Sequence, residues 1–109
     1  SVDKEGTGQG FDIDLISKIS SIVNIPVIAH GGAGNKQHVV DLIKENTIDA
    51  VMLSSLFHYQ FIKENESRIS SEEGNIEFLK QKRNFHTFEP CNILDLKTTL
   101  IENKIECRI

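Results

Sequence analysis

Apolar residues fall at Phe11, Leu15, Ile16, Ile19, Ile22 and Val23, at intervals that predict a helix with one apolar face. Asp12 and Asp14 sit in its first turn, where carboxylates meet the positive end of the helix dipole. Asn24 and Pro26 end it. The next stretch, "IPVIAH" (25–30), is short, apolar and β-branched, and reads as a buried strand; "IDAVMLSS" (48–55) reads as a second. Continuous rather than alternating apolarity predicts a parallel sheet covered on both faces. Between the strands, Asn35 is placed to cap a helix carrying Val39, Val40 and Ile43 and ending near Asn46. "LFHYQFIKE" predicts a short helical turn with Leu56, Tyr59 and Ile62 on one side. Residues 64–90 are polar and poorly periodic, apart from a short helix over Ile76 to Lys80. Asn92 then caps a last helix with Ile93, Leu96, Leu100 and Ile101 inward.

The order loop–helix–strand–loop–helix–strand–short helix–helix is a βα series seen from its middle, hence α/β. Such a series belongs to a doubly wound sheet or a (β/α)₈ barrel. Two strands are too few for either, and a barrel needs roughly 200 residues or more. With 109 residues, starting at Ser1 inside a loop-forming segment, the chain reads as a fragment.

Composition removes several functions. The chain is 39% hydrophobic and 26% charged, so it is globular rather than disordered. Its net charge is −4, with no basic run beyond "KQKR" (80–83), which argues against nucleic acid. No apolar stretch approaches the ~20 residues of a membrane span, and no signal peptide is visible. Cys91 and Cys107 are far apart and in no CxxC spacing; they read as free thiols of a cytoplasmic protein. Four scattered histidines and these cysteines give no metal-ligand spacing, and no cofactor is expected.

Three loops carry the candidate chemistry: "DKEGTGQG" (3–10), "HGGAGN" (30–35) and "SSLFH" (54–58). Each follows a strand end, or a presumed one, on the side where parallel α/β folds bind ligands. Glycines let backbone N–H groups approach a ligand, helix N-termini add partial positive charge, and Ser54 and Ser55 add hydroxyl donors. In a barrel, the loops after the last two strands and a short extra helix frequently hold phosphate. The plainer role for "GGAG" is a tight turn; paired with "SS" one βα unit later, phosphate is the favoured reading.

These same residues carry a resemblance. "SVDKEGTGQGFDIDLI", "IPVIAHGGAGNKQHVVDLI" and "DAVMLSSLFHY" together resemble the C-terminal half of the cyclase subunit of imidazole glycerol phosphate synthase. The tail "IENKIECRI" is similar to that family's ending. The resemblance implies the C-terminal portion of a (β/α)₈ TIM barrel of the ribulose-phosphate-binding type, from the loop after the sixth strand to the last helix, with residues 66–90 an insertion. It implies a lyase of histidine biosynthesis that takes ammonia from a glutaminase partner to cleave and cyclise a phosphoribulosyl imidazole precursor. Carried over, Glu5, Gly6, Thr7, Gly32, Ser54 and Ser55 match positions around one substrate phosphate, and Asp3 organises its loop.

The family's two acid/base carboxylates precede Ser1, so no catalytic residue is expected in this chain, which alone should be inactive. Asp12, Asp14 and Asp41 read as solvated helix charges. Glu5 stands where the family usually has Asp, and His30 where Ser or Cys is usual, at the mouth of the site. His30 either contacts substrate or bonds to loop backbone. His58 reads as structural, and His38 and His86 as surface residues. These departures, with the 66–90 insertion, bring in a second reading: a cyclase-like subunit assisting amidation of a surface-polysaccharide sugar. A third, of another class, is a non-catalytic phosphate-binding or scaffold module.

Overall fold

The computed structural model describes residues 1–65 and 88–108. After a turn-rich loop over residues 1–10, helix α1 spans Ile13–Ile22. Strand β1 (Ile28–His30) leads through the glycines to α2 (Lys36–Glu45). Strand β2 (Ala50–Met52) runs into α3 (Ser55–Asn65), and α4 (Ile93–Glu102) completes the described elements. The helix expected over Ile76 to Lys80, and all but the last three residues of the expected insertion, lie outside the described residues.

Each predicted cap acts through its side chain. Asn35 Oδ1 accepts the His38 N–H at 2.9 Å, and Asn92 Oδ1 accepts the Asp95 N–H at 2.8 Å. Asp12 does the same for Leu15 at 3.2 Å, so it caps α1 rather than decorating its first turn. Helix α4 closes with Lys104 in the left-handed region (φ 60°). Ile105 N–H donates to Leu100 O and Lys104 N–H to Ile101 O, each at 2.9 Å, the paired bonds of a Schellman ending.

The two strands pair in parallel, Ile28 with Ala50, Ala29 with Val51 and His30 with Met52. Asp49 sets the start of this register: its carboxylate accepts the Val27 N–H at 2.7 Å, and its own N–H donates to Val27 O at 3.0 Å. Alternation sends Ala29 and Val51 to one face and Ile28, His30, Ala50 and Met52 to the other. The core sits under the first face: Val39, Val40 and Leu42 of α2, Leu56 of α3, Leu96 and Leu100 of α4, with Phe11, Phe88 and Cys91. Helices α2 and α4 pack on each other.

The second face corrects an expectation. Ile28 is 63% exposed and Met52 54%, so among the described residues the sheet is covered on one side, not two. The strands are apolar enough for burial on both faces, but among the described residues only one face has helices. The same holds at the flanks. Ile93 and Ile101, expected inward, are 59% and 45% exposed, because Leu96 and Leu100 alone point into the seam with α2. Phe11, just ahead of α1, and Ile16 within it are buried, whereas Leu15, Ile19 and Ile22 remain open. Helix α3 is a full 11-residue helix rather than a short turn. Both cysteines are free, Cys91 buried and Cys107 half-buried.

Candidate phosphate pocket

Strand β1 ends at His30, and the next four residues, Gly31 to Gly34, are all buried. Gly31 and Gly32 hold φ of +97° and +103°, a region that L side chains rarely enter. Space matters as much as torsion here. A Cβ on Gly31 would collide with the Ser1 carbonyl oxygen, and one on Gly32 with the Gly10 carbonyl oxygen. Gly10 N–H donates to Gly32 O at 2.8 Å, so the first and second glycine loops lie back to back. On the other side, Glu89 N–H donates to Gly34 O at 2.7 Å. The second loop is thus held by protein backbone from two directions.

The first loop is built differently. Glu5 N–H donates to Val2 O at 3.2 Å and Thr7 N–H to Lys4 O at 3.1 Å, two consecutive turns. Thr7 also spends its hydroxyl on Lys4 O, at 2.7 Å. Gly6, at φ +71°, has nothing within 4 Å of where its Cβ would stand. Strand β2 supplies the third wall. Its chain leaves through Ser54, whose carbonyl accepts from Phe57 (3.2 Å) and His58 (3.0 Å) and so opens α3 at Ser55. The Ser55 and Leu56 N–H groups come before those bonds, have no partner within the helix and lie at its positive dipole end.

These walls enclose a cavity of about 170 Å³. Glu5, Gly6, His30, Gly32, Ser54 and Ser55 line it, together with Gly31, Ala33, Met52, Leu53 and Leu56. A water needs only about 10–15 Å³ of such space, so the cavity has room for a tetrahedral anion and the first carbons attached to it. Of the residues expected around a phosphate, Thr7 is the one outside the lining, its hydroxyl and amide both committed to the Lys4 carbonyl. Glu5 lines the cavity with its amide already donated, so it offers a carboxylate acceptor rather than a donor. Asp3 is exposed. Met52 and Leu53 were not singled out from sequence; pairing of His30 with Met52 brings them to the mouth, and only the strand register reveals it.

The remaining histidines separate clearly. His58 is exposed on α3 with its ring 5.7 Å from that of Tyr59. His38, read from sequence as a surface residue, is half-buried and accepts the Gly34 N–H on Nδ1 at 3.0 Å. Position three residues after an N-cap gave no hint of this, because the loop folds back over its own helix. His86 lies outside the described residues. No cluster of three or more His, Cys, Asp and Glu side chains suited to a metal occurs among the described residues, and no described helix is long and apolar enough to cross a membrane.

Comparison with known proteins places these loops in context. The profile of the histidine biosynthesis protein family matches residues 1–63, which include all three loops. The chain is 49% identical over 63 residues to the imidazole glycerol phosphate synthase subunit HisF of Flavobacterium johnsoniae, covering 58% of this chain and 25% of that protein. It is 41% identical over 76 residues to the subunit of the same name from Methanococcus maripaludis, covering 70% and 28%. To the one from Streptococcus mutans it is 35% identical over 77 residues, covering 71% and 31%. The chain therefore spans between a quarter and a third of the length of the curated relatives it matches.

Proposed function

This chain belongs to the histidine biosynthesis protein family, a family of TIM-barrel fold, and we propose that it carries the phosphate-holding end of a cyclase subunit of imidazole glycerol phosphate synthase. One observation carries the reading: residues 5–6, 31–33 and 54–56, from three separate loops, converge on one small cavity at the carboxyl ends of two parallel strands. The donors there are neutral, namely the Ser54 and Ser55 hydroxyls and the Ser55 and Leu56 N–H groups at the start of α3. Their dipoles suit a phosphate dianion without a metal or a lysine cluster.

In the proposed activity, the whole protein is a lyase that uses ammonia, delivered by a glutaminase partner, to cleave and cyclise a phosphoribulosyl imidazole precursor. This chain's residues bind and orient one phosphate of that substrate. Gly32 and the α3 N-terminus cradle the phosphate, while Glu5, an acceptor only, suits a sugar hydroxyl beside it better than a phosphate oxygen. The acid/base carboxylates belong to parts of the protein outside these 109 residues, and the uncovered sheet face of Ile28, His30, Ala50 and Met52 is the one that would look into the barrel. Thr7, outside the pocket, organises the first loop through its two bonds to the Lys4 carbonyl.

A second reading has its own support. Glu5 and His30, two residues that depart from the cyclase pattern, both line the pocket, so they bear directly on what is bound. An imidazole at that wall offers a proton donor where the usual Ser or Cys is shorter, which suits the cyclase-like subunit assisting amidation of a surface-polysaccharide sugar.

The experiment is steady-state turnover of the phosphoribulosyl imidazole precursor with ammonia, comparing the full-length protein with Ser55→Asp. The phosphate reading expects KM to rise at least about tenfold from like-charge repulsion, with kcat changed far less. An unchanged KM removes the site. Absence of turnover in the wild type, with inorganic phosphate still bound, favours the amidation-linked or the non-catalytic scaffold role.

A further inference from the structure

His38 bonds to one glycine loop and sets its ring beside the other, while standing outside the pocket they form. We propose that it is a positioning residue: its imidazole clamps the two loops together and fixes the backbone that forms the pocket wall. The proposal deepens the phosphate reading of this pocket and rests on it.

Three hydrogen bonds and one close approach link His38 to the two loops. The His38 backbone N–H donates to Asn35 Oδ1 at 2.9 Å, which anchors the residue in the first turn of α2. From there the ring reaches back, and Nδ1 accepts the Gly34 N–H at 3.0 Å. An imidazole nitrogen that accepts carries no proton, so the neutral tautomer with hydrogen on Nε2 is the one that fits. The ring stands beside Gly10: a Cβ added there would meet it in ordinary van der Waals contact, 3.8 Å from Cε1 and Nδ1 and 3.9 Å from Cδ2. Gly10 in turn donates its N–H to Gly32 O at 2.8 Å. One side chain thereby holds Gly34 of the second loop and stands beside Gly10 of the first, whose own N–H reaches Gly32.

The consequence reaches the pocket through short leverage. Gly32 and Ala33 line the cavity, and Gly34 follows them directly. Gly34 is buried, so loss of its acceptor would strand an N–H away from water and drive the loop to turn toward another partner. That rotation would carry the adjoining peptides away from the phosphate. The Nε2 side adds nothing comparable, because its neighbour, Asn35 Nδ2 at 3.5 Å, is also a donor in this tautomer.

The test uses the full-length, nitrogen-15-labelled protein, titrated with inorganic phosphate and followed through its backbone amides and amide exchange. His38→Leu keeps bulk without an acceptor, while His38→Asn places an amide oxygen where Nδ1 stood. The expected result is that His38→Leu weakens inorganic phosphate about tenfold or more and accelerates Gly34 exchange by a similar factor, whereas His38→Asn stays within about threefold of wild type on both. Wild-type affinity and exchange in His38→Leu overturn the clamp, as does a His38→Asn protein that fails as badly as His38→Leu. If the wild type shows no phosphate response at Gly32, the phosphate reading falls, and Gly34 exchange still decides the clamp. Should His38→Leu not fold, the wild-type imidazole decides: an unprotonated Nδ1 coupled to the Gly34 N–H supports the proposal, and a protonated Nδ1 overturns it.

Discussion

The two glycine loops of the pocket use the same residue for opposite ends. In the loop over 30–35, glycine makes room for the protein's own backbone, since Ser1 O and Gly10 O occupy the places where Cβ atoms of Gly31 and Gly32 would stand. In the loop over 3–10, Gly6 has nothing beside it within 4 Å and lines the cavity. The first glycines are filled with protein and the second is left for something else. Glycine richness alone therefore does not identify a ligand site. What identifies it is which glycine faces empty space, and both kinds are needed, because a loop packed from behind holds its front in place.

The sharpest break of this contrast is Gly32→Ala. The methyl would meet backbone, which cannot swing aside as a side chain can, at a φ that alanine rarely adopts. Steric overlap and torsional strain together should cost about 3 kcal/mol in chemical-denaturation measurements and abolish phosphate binding. A loss under about 1 kcal/mol would mean that the loops separate easily and that the close packing is not a requirement.

Ser55→Asp strikes the ligand side alone. Ser55 is half-buried at the first position of α3, where a carboxylate is favoured by the helix dipole and disfavoured by a phosphate beside it. Stability should hold or rise by a few tenths of a kcal/mol, while inorganic phosphate affinity falls about tenfold, equivalent to about 1.4 kcal/mol. Isothermal titration and thermal melts on the same protein separate the two. A matched loss of both would place Ser55 in the scaffold rather than the site.

Much of this arrangement was legible from the chain, and the illegible parts share a cause. Asn35 and Asn92 cap as their spacing implies, because capping is settled within four residues. The parallel strands follow from continuous apolarity, and Ser54–Ser55 meets the glycine loops because parallel strands deliver their carboxyl ends to one side. What failed depends on distant partners. The apolarity of Ile28 and Met52 records what those positions are suited to touch, not whether a described neighbour covers them. The placing of the His38 ring beside Gly10 joins positions 28 apart, while Thr7 is the local exception, its hydroxyl taken by the Lys4 carbonyl three residues back. Local chemistry was readable; closure of loops on one another was not.

Gly6→Ala tests the open half of the comparison. With no atom in the way, only the positive φ opposes a methyl, so the cost should be about 1 kcal/mol, well below that of Gly32→Ala. Phosphate affinity should drop all the same, because the methyl would stand in or beside the cavity. Denaturation midpoints that rank Gly6→Ala as harmful as Gly32→Ala would erase the distinction between the loops.

The smallest expected effect concerns what holds the second loop from behind. Cys91 is buried two residues after Glu89, whose N–H bonds to Gly34 O. Burial raises its thiol above the ordinary value of 9.0, with Lys36 opposing and Asp95 adding to the rise. The folded chain therefore keeps this proton at pH values where the unfolded chain has released it. Stability from this group is fully present below about pH 9 and drains away as pH climbs above it. Melts from about pH 8 to about pH 10.5 should fall more steeply for the wild type than for Cys91→Ala, which has no thiol to ionise, and the lysines common to both cancel in the difference. The loss should reach the second loop first, seen as faster Gly34 exchange while the first-loop amides change less. Equal slopes for the two proteins would mean that Cys91 meets solvent freely and that the backing of the second loop is looser than its contacts imply.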